Sequence, residues 1–455
     1  MGAWRCSVGA GLVVVCAALA AGAVDDLDDV LGGFDDEEEP AFRVERESDA
    51  ATQDEAWWDL SGSVEISASV NYRSHESATG TDYGGLQRLR NRLNLQLDAE
   101  LPRAWQTRLE AWGFYDAAYL LNGRGSYTTQ VRNQYETDWD VGEAWLHGPI
   151  LDDVDLKLGR QIVIWGRSET LRVLDVLNPL DNREPGRVDL EDIRRPLGMA
   201  RLDAYADEWT VTAIAIPEIR FDENPVVGSD FLPLTGVPPS QLPPQRKPDS
   251  FEDWEAAAAI TGTFSGWDAS LHGAWFFDDQ PHLRDSGRLA HARLWMVGTG
   301  GNYTLGSWLW KGELAYLDGL EFFGASEKSR VDVLVGVEYY GFVDTSISLE
   351  GVNRHLIDYD SGVRNSLDIF GEDFQELSLR ITRSFLNERL EVEALGVLFD
   401  VDRDPSVIWR LGADYELADA LVVGGGILIF EEGDQPPLDT WGQNDRFFFS
   451  LKWSF

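Results

Sequence analysis

Apolar and polar residues alternate with a period of two along most of this chain. From Leu60 to Arg73 apolar or small residues hold every even position (Leu60, Gly62, Val64, Ile66, Ala68, Val70, Tyr72) and polar ones hold the odd positions. The next segment repeats the pattern: Leu89, Leu93, Leu95, Leu97 and Ala99 fall on one face, and Arg88, Arg90, Arg92, Asn94, Gln96 and Asp98 on the other. Val331, Val333, Val335, Val337 and Tyr339 form a similar stripe, as do Leu390, Val392, Ala394, Gly396 and Leu398. A helix, with its period of 3.6, cannot segregate such faces, so these segments predict strands. About eighteen can be placed, at 60–73, 86–99, 105–120, 135–147, 153–164, 197–205, 208–217, 253–264, 268–278, 288–304, 308–321, 329–341, 345–352, 372–385, 389–400, 406–417, 421–431 and 443–455, with sixteen as the alternative count.

The connections carry a second pattern. Every even-numbered connection is short, as at Leu101-Pro102-Arg103-Ala104, Ala206-Asp207, Ser265-Gly266-Trp267, Leu305-Gly306-Ser307 and Leu386-Asn387-Glu388. The long ones, 165–196, 218–252 and 353–371, are all odd-numbered. Short turns at one end and long loops at the other are the arrangement of an antiparallel membrane barrel whose N-terminus lies on the periplasmic side. The last segment sharpens this expectation. Phe447, Phe449, Leu451, Trp453 and Phe455 form an apolar stripe, with Trp453 and Phe455 resembling the terminal signal that outer-membrane barrels present to their assembly machinery. A soluble edge strand so apolar would aggregate. The expected fold is all-β, a transmembrane antiparallel β-barrel over residues 60–455.

Composition narrows the setting. A basic start (Arg5), an apolar run from Val8 to Ala20 and Ala21-Gly22-Ala23 predict a signal peptide over 1–23. Both cysteines, Cys6 and Cys16, fall within it, so the mature chain is expected to hold no disulfide and no cysteine metal site. No other apolar run reaches the ~20 residues of a membrane helix, which leaves a closed barrel as the way to span lipid. Eighteen tryptophans suit aromatic girdles at the two membrane interfaces. The net charge of −41 excludes nucleic acid as a partner. The expected location is the outer membrane, with its lipid and its assembly machinery as partners.

Candidate chemistry lies on the inward parity. Arg88, Arg90 and Arg92 form a ladder, with Arg108 on the neighbouring strand and Arg380 further round. Glu65, Asp98, Glu110, Glu376, Glu391 and Glu393 point the same way. Opposed charges across a pore set up a field that filters polar solutes; the alternative is that they merely solvate the lumen. The connection Trp165–Pro196 is long enough to have structure of its own, with six arginines (167, 172, 183, 187, 194 and 195) among seven acids. Leu171, Leu174 and Leu177 recur at roughly helical spacing before Asn178-Pro179. Trp165, Arg167, Asn178, Asp181, Arg194 and Arg195 are its candidate constriction residues, whether it folds inward to narrow the barrel or caps the mouth from outside. The leader 24–59 is heavily acidic, and within it Leu27, Val30, Leu31 and Phe34 stand at helical spacing as a candidate partner-docking stripe, the alternative being a solvated tail. The six histidines are scattered and form no HExxH, and neither GxSxG nor a phosphate loop occurs, so neither enzyme nor cofactor is expected.

At Gly159-Arg160-Gln161, Trp165-Gly166-Arg167-Ser168, Asn178-Pro179-Leu180-Asp181 and Arg195-Pro196-Leu197 the chain resembles a large family of Gram-negative outer-membrane β-barrel proteins defined by a domain of unknown function. The match is clearest over about residues 150–220, with the barrel pattern covering the rest. Members are often encoded beside RND-superfamily exporters of hydrophobic or lipid-like molecules, so the resemblance implies an export conduit working with an inner-membrane exporter. A general diffusion porin with charge-based selectivity is the alternative, and a barrel enzyme or adhesin a third.

Overall fold

The structure, a computed structural model, describes residues 57–77, 79–187, 193–232, 250–284, 286–322, 324–364, 371–434 and 438–455. The expected signal segment and the leader up to residue 56, with Leu27, Val30, Leu31 and Phe34, lie outside the described residues.

The strands are β1 (Trp58–Asn71), β2 (Gly85–Leu101), β3 (Trp105–Asp116), β4 (Thr137–Leu151), β5 (Val154–Gln161), β6 (Leu197–Ala206), β7 (Trp209–Ile216), β8 (Glu255–Phe264), β9 (Trp267–Phe277), β10 (His282–Leu283), β11 (Leu289–Ala290), β12 (Arg293–Leu305), β13 (Trp308–Leu320), β14 (Lys328–Phe342), β15 (Thr345–Leu356), β16 (Asp373–Phe385), β17 (Leu390–Phe399), β18 (Ser406–Ala418), β19 (Leu421–Glu431) and β20 (Arg446–Ser454). β10 and β11 form a small hairpin of their own, and the other eighteen make one antiparallel sheet. Each barrel strand pairs with the next, and β1 pairs with β20, with Val64 opposite Trp453 and Ala68 opposite Phe449. Closure leaves no edge strand, and the count is eighteen rather than sixteen.

The even connections are tight turns. Asp207 and Asp344 take φ of 51° and 50° there, and Gly266 and Gly306 take 80° and 59°, the left-handed backbone that short hairpins demand. At the other end the expected segment 288–304 is divided between β11 and β12, 345–352 runs on to Leu356, and two segments stop short. β3 stops at Asp116 and passes into a helical turn, α1 (Ala118–Leu121), instead of running to 120. β5 stops at Gln161 instead of reaching 164. Its continuation, Ile162-Val163-Ile164-Trp165, is apolar on both parities, and Val163 and Trp165 turn into the buried interior.

Burial separates the faces. On β1, Ser63, Ser67, Ser69 and Asn71 are buried toward the lumen, while Leu60, Val64 and Ile66 are exposed outward. The outward apolar band ends in aromatic belts. Trp209, Trp267, Trp308 and Trp453 mark the short-turn end; Tyr115, Trp139, Trp295 and Phe447 mark the loop end. That is the surface a bilayer requires of a barrel. Among the described residues no helix is long and apolar enough to cross a membrane.

Candidate functional site: a charged wall and an inserted loop

The lumen has two kinds of wall. On β2–β4 and β16–β18 it is charged. On the arc from β6 to β15 it carries Leu197, Met199, Ile214, Ile216, Leu294, Met296, Leu317 and Leu334, all buried, interspersed with buried charges such as Glu313, Asp332, Glu338 and Glu350. Inward apolar side chains in an open water channel would have no partner. Here the loop after β5 covers them: Val163, Trp165, Leu171, Val173, Leu174 and Leu177 join them in one apolar cluster. Leu174, with no exposed surface, lies over Gly298 and Gly300 of β12. A Cβ on Gly298 would come within 2.3 Å of the Leu174 side chain, so the glycine opens the notch that leucine fills.

Carboxylates on the wall pin this loop. Glu313 accepts the backbone N–H of Leu174 at 3.0 Å and that of Arg167. Glu350 accepts the Ser168 hydroxyl, whose oxygen in turn accepts the N–H of Leu171 at 2.8 Å. Arg167 pairs with Asp268 of β9 at 2.7 Å, and Arg354 of β15 donates to the Arg172 carbonyl at 2.8 Å. Asn178, wholly buried, closes the loop's base: its Oδ1 accepts the Val163 N–H at 2.8 Å and its amide donates to the carbonyls of Gln161 (3.2 Å) and Arg195 (2.9 Å). Trp165 packs on His272 at 4.6 Å between ring centres. Arg194 pairs with Asp175 at 2.9 Å and Arg195 with Glu223 at 2.7 Å.

Leu171, Leu174 and Leu177 are therefore buried, but not on a helix. Residues 162–179 form bends and extended backbone, because their N–H groups bond to Glu313, Ser168 and Asn178 rather than to carbonyls four residues back. Asp181 and Arg183 follow in the same loop and bind each other, with Arg183, itself buried, also donating to Asp138 at 2.7 Å. Burial pushes the Asp181 carboxyl up, but the hydrogen bond and charge of Arg183 outweigh it and hold the group below the ordinary range. Burial likewise opposes the charge on Arg183, and its bonds to Asp181 and Asp138 outweigh that, raising it further.

The arginine ladder faces inward without being free. Arg88 pairs with Glu184 of the loop at 2.8 Å, and Arg90 pairs with Glu184 at 3.3 Å and Asp116 at 3.4 Å while stacking on Phe114. Arg92 donates to Asn94 at 2.8 Å and lies over Trp112. Arg108 joins Asp98 (2.9 Å), Glu143 (3.6 Å) and Glu110 (4.0 Å). Arg380 and Arg410 share Glu393, at 3.3 and 2.6 Å, and Glu391 stands exposed toward the short-turn end. Arg88, Arg90, Arg108, Arg380 and Arg410 thus sit in closed ion pairs, and Glu184 couples two rungs of the ladder to the inserted loop. Glu184, Glu313 and Glu350 were not singled out from the sequence. Glu313 and Glu350 were readable, since each sits on the inward parity of an alternating strand. Among the described residues no cluster of His, Cys, Asp and Glu could hold a metal ion.

An eighteen-stranded closed barrel with a loop folded into its lumen defines a porin-like outer-membrane fold. Residues 4–410 match the protein family of unknown function DUF1302, and the chain belongs to that family. Its fold is similar to solved structures of OccAB1 from Acinetobacter baumannii (TM-score 0.51, 10% identity, covering 88% of this chain and 98% of that one) and of OccK1 (OpdK) from Pseudomonas aeruginosa (TM-score 0.51, 9% identity, 88% and 98%). OccK8 (OprE) of Pseudomonas aeruginosa is equally similar, with TM-score 0.51, 9% identity and the same coverage. At that identity the likeness is one of fold. No curated protein matches the chain by sequence.

Proposed function

We propose that this protein is an outer-membrane conduit for a small or amphipathic solute, held shut by the inserted loop and opened by its movement. The carrying observation is how the loop is attached. It meets the wall through carboxylates, a hydroxyl, arginine contacts (Arg88 and Arg90 on Glu184, Arg354 on the Arg172 carbonyl) and apolar side chains, and, among the described residues, through no strand ladder, so it can leave without breaking the barrel. The porin-like fold supports the same reading.

The test is conductance in planar bilayers. Replacing Arg88, Arg90 and Arg92 by glutamine is expected to shift the reversal potential in a salt gradient toward cation selectivity. The shift has two sources, the loss of three positive charges and the release of Glu184, which Arg88 and Arg90 neutralise. An unchanged reversal potential would remove the ladder from the permeation path.

The resemblance also supports a partnership with an inner-membrane exporter. β1 starts at the short-turn end, which supports docking of a periplasmic partner by the stripe Leu27, Val30, Leu31 and Phe34 that precedes it in the sequence. A photo-crosslinker at position 30 is expected to trap a periplasmic or inner-membrane protein in cells, and Leu31→Asp with Phe34→Asp to abolish the adduct. The same adduct from the double variant would make the leader a solvated tail.

A further inference from the structure

The barrel wall is uneven at its loop end. β5 and β7 are eight residues each, against fifteen in β4. Eight residues rise about 26 Å along a strand, or roughly 20 Å along the membrane normal at a tilt of ~40°, short of the ~25 Å apolar band. β4 continues upward alone: its highest pair with β5 is Ala144 opposite Arg160, and the described residues from Thr137 to Glu143 have no strand on that side.

The free edges are finished by side chains. Asp138 and Asp140 accept the N–H groups of Trp139 and Val141, each at 2.9 Å. Glu143 accepts the N–H of Ile162 at 3.1 Å, and Glu218 that of Gly198, at the top of β6, at 2.7 Å. Four carboxylates thus stand where strand carbonyls would otherwise be. Asp140 is also the hub of the seal, binding Arg160 at 3.2 Å, Arg195 at 3.8 Å and Arg220. Directly inside lie Leu197, Met199, Ile214 and Ile216 with Trp165 of the inserted loop, and outside stands Trp139, 78% exposed on the loop-end belt.

The geometry points to a lateral port through the wall above β5–β7, joining the apolar side of the lumen to the outer leaflet, for an amphiphile with one apolar chain and an anionic head. An apolar compartment behind a gap in the membrane band suits the chain. The three guanidiniums that converge on Asp140 suit the head, which takes over their partner as the seal parts. A ladder of backbone hydrogen bonds opens only by unfolding, whereas a seal of side-chain ion pairs can be exchanged for ligand contacts. This rests on the conduit reading and adds the route.

The test uses the full barrel in phosphatidylethanolamine–phosphatidylglycerol vesicles and a palmitic acid analogue carrying a diazirine near its chain end. Adducts are mapped by residue. Met199, inward on β6, reports entry, and Leu158, outward on β5, reports ordinary lipid contact. Wild type is expected to label Met199. Asp140→Cys with Arg220→Cys, bridged by dibromobimane across the seal, is expected to lower the Met199-to-Leu158 ratio at least fivefold relative to the same variant unbridged. The only natural cysteines, Cys6 and Cys16, precede the barrel and leave this chemistry clean. Absent labelling at Met199 in wild type, or an equal ratio with and without the bridge, overturns the port. Ion conductance of the bridged protein separates the two readings: a barrel that conducts while its port is locked keeps the conduit and isolates the side exit.

Discussion

Replacing residues 165–176 with Gly-Ser-Gly is expected to raise single-channel conductance on the order of tenfold, because an eighteen-stranded barrel encloses a water-filled channel unless something occupies it. In this protein the occupant is the loop, which brings Trp165, Leu171, Val173 and Leu174 into the middle of the apolar arc. The excision is conservative for the chain path, since the Val163 N–H already lies 2.8 Å from the Asn178 side chain and the two ends of the cut are neighbours. The wall itself is untouched, as every ladder from β1 to β20 runs outside the removed segment. Heat-modifiable migration on gels should therefore persist. Thermal unfolding should begin earlier, because each buried apolar side chain lost from the cluster had contributed ~1.5–3 kcal/mol. A variant that assembles yet conducts like wild type would show that other loops fill the lumen, and the gating role of this one would fall.

Such an experiment can be designed from the alternation pattern only in part. The strands were legible because lipid outside and a packed lumen inside impose a strict period of two, and turn parity fixed which end carries the loops. The ladder Arg88, Arg90, Arg92 was legible for the same reason. Its neutralisation was not: Glu184 lies over ninety residues away in sequence and reaches Arg88 only because the loop folds back. The helical reading of Leu171, Leu174 and Leu177 failed through an ambiguity of spacing. Three leucines separated by two residues can line a helix face or sit on successive bends, and what decides is Gly298 and Gly300 on a distant strand together with the acceptors on Glu313. The gap above β5 was hidden by hydrophobicity. Ile162 to Trp165 continue β5 in composition, yet the ladder ends at Gln161, and Val163 and Trp165 turn inward while Ile164 stays exposed.

Glu313→Ala is expected to loosen the loop without removing it. The carboxylate accepts two backbone N–H groups from the plug, those of Arg167 and Leu174, and neither has a ladder partner. Hydrogen bonds to a charged acceptor contribute ~1.5–3 kcal/mol each, and a buried donor left unpaired costs a similar amount. Losing both weakens the closed state by about 3–6 kcal/mol, and since each 1.4 kcal/mol is tenfold, the released population rises about 10²–10⁴-fold. The remaining attachments, Ser168 on Glu350 and Leu174 in its glycine notch, keep the closed state in the majority. Trypsin added from the loop side reports that population, because Arg172 is tied into the plug through the carbonyls of Asp175 and Asn178 and cleavage there requires release. Cleavage after Arg172 should quicken at least tenfold, with brief openings appearing in bilayer records. Glu313→Gln keeps one acceptor oxygen and turns the other into a donor facing an N–H, so it should fall between wild type and alanine. Glu391→Ala, an exposed inward carboxylate far from the plug, should leave the rate alone. Equal cleavage in wild type and Glu313→Ala would mean that apolar packing alone holds the loop, and that the carboxylate hub is not the latch.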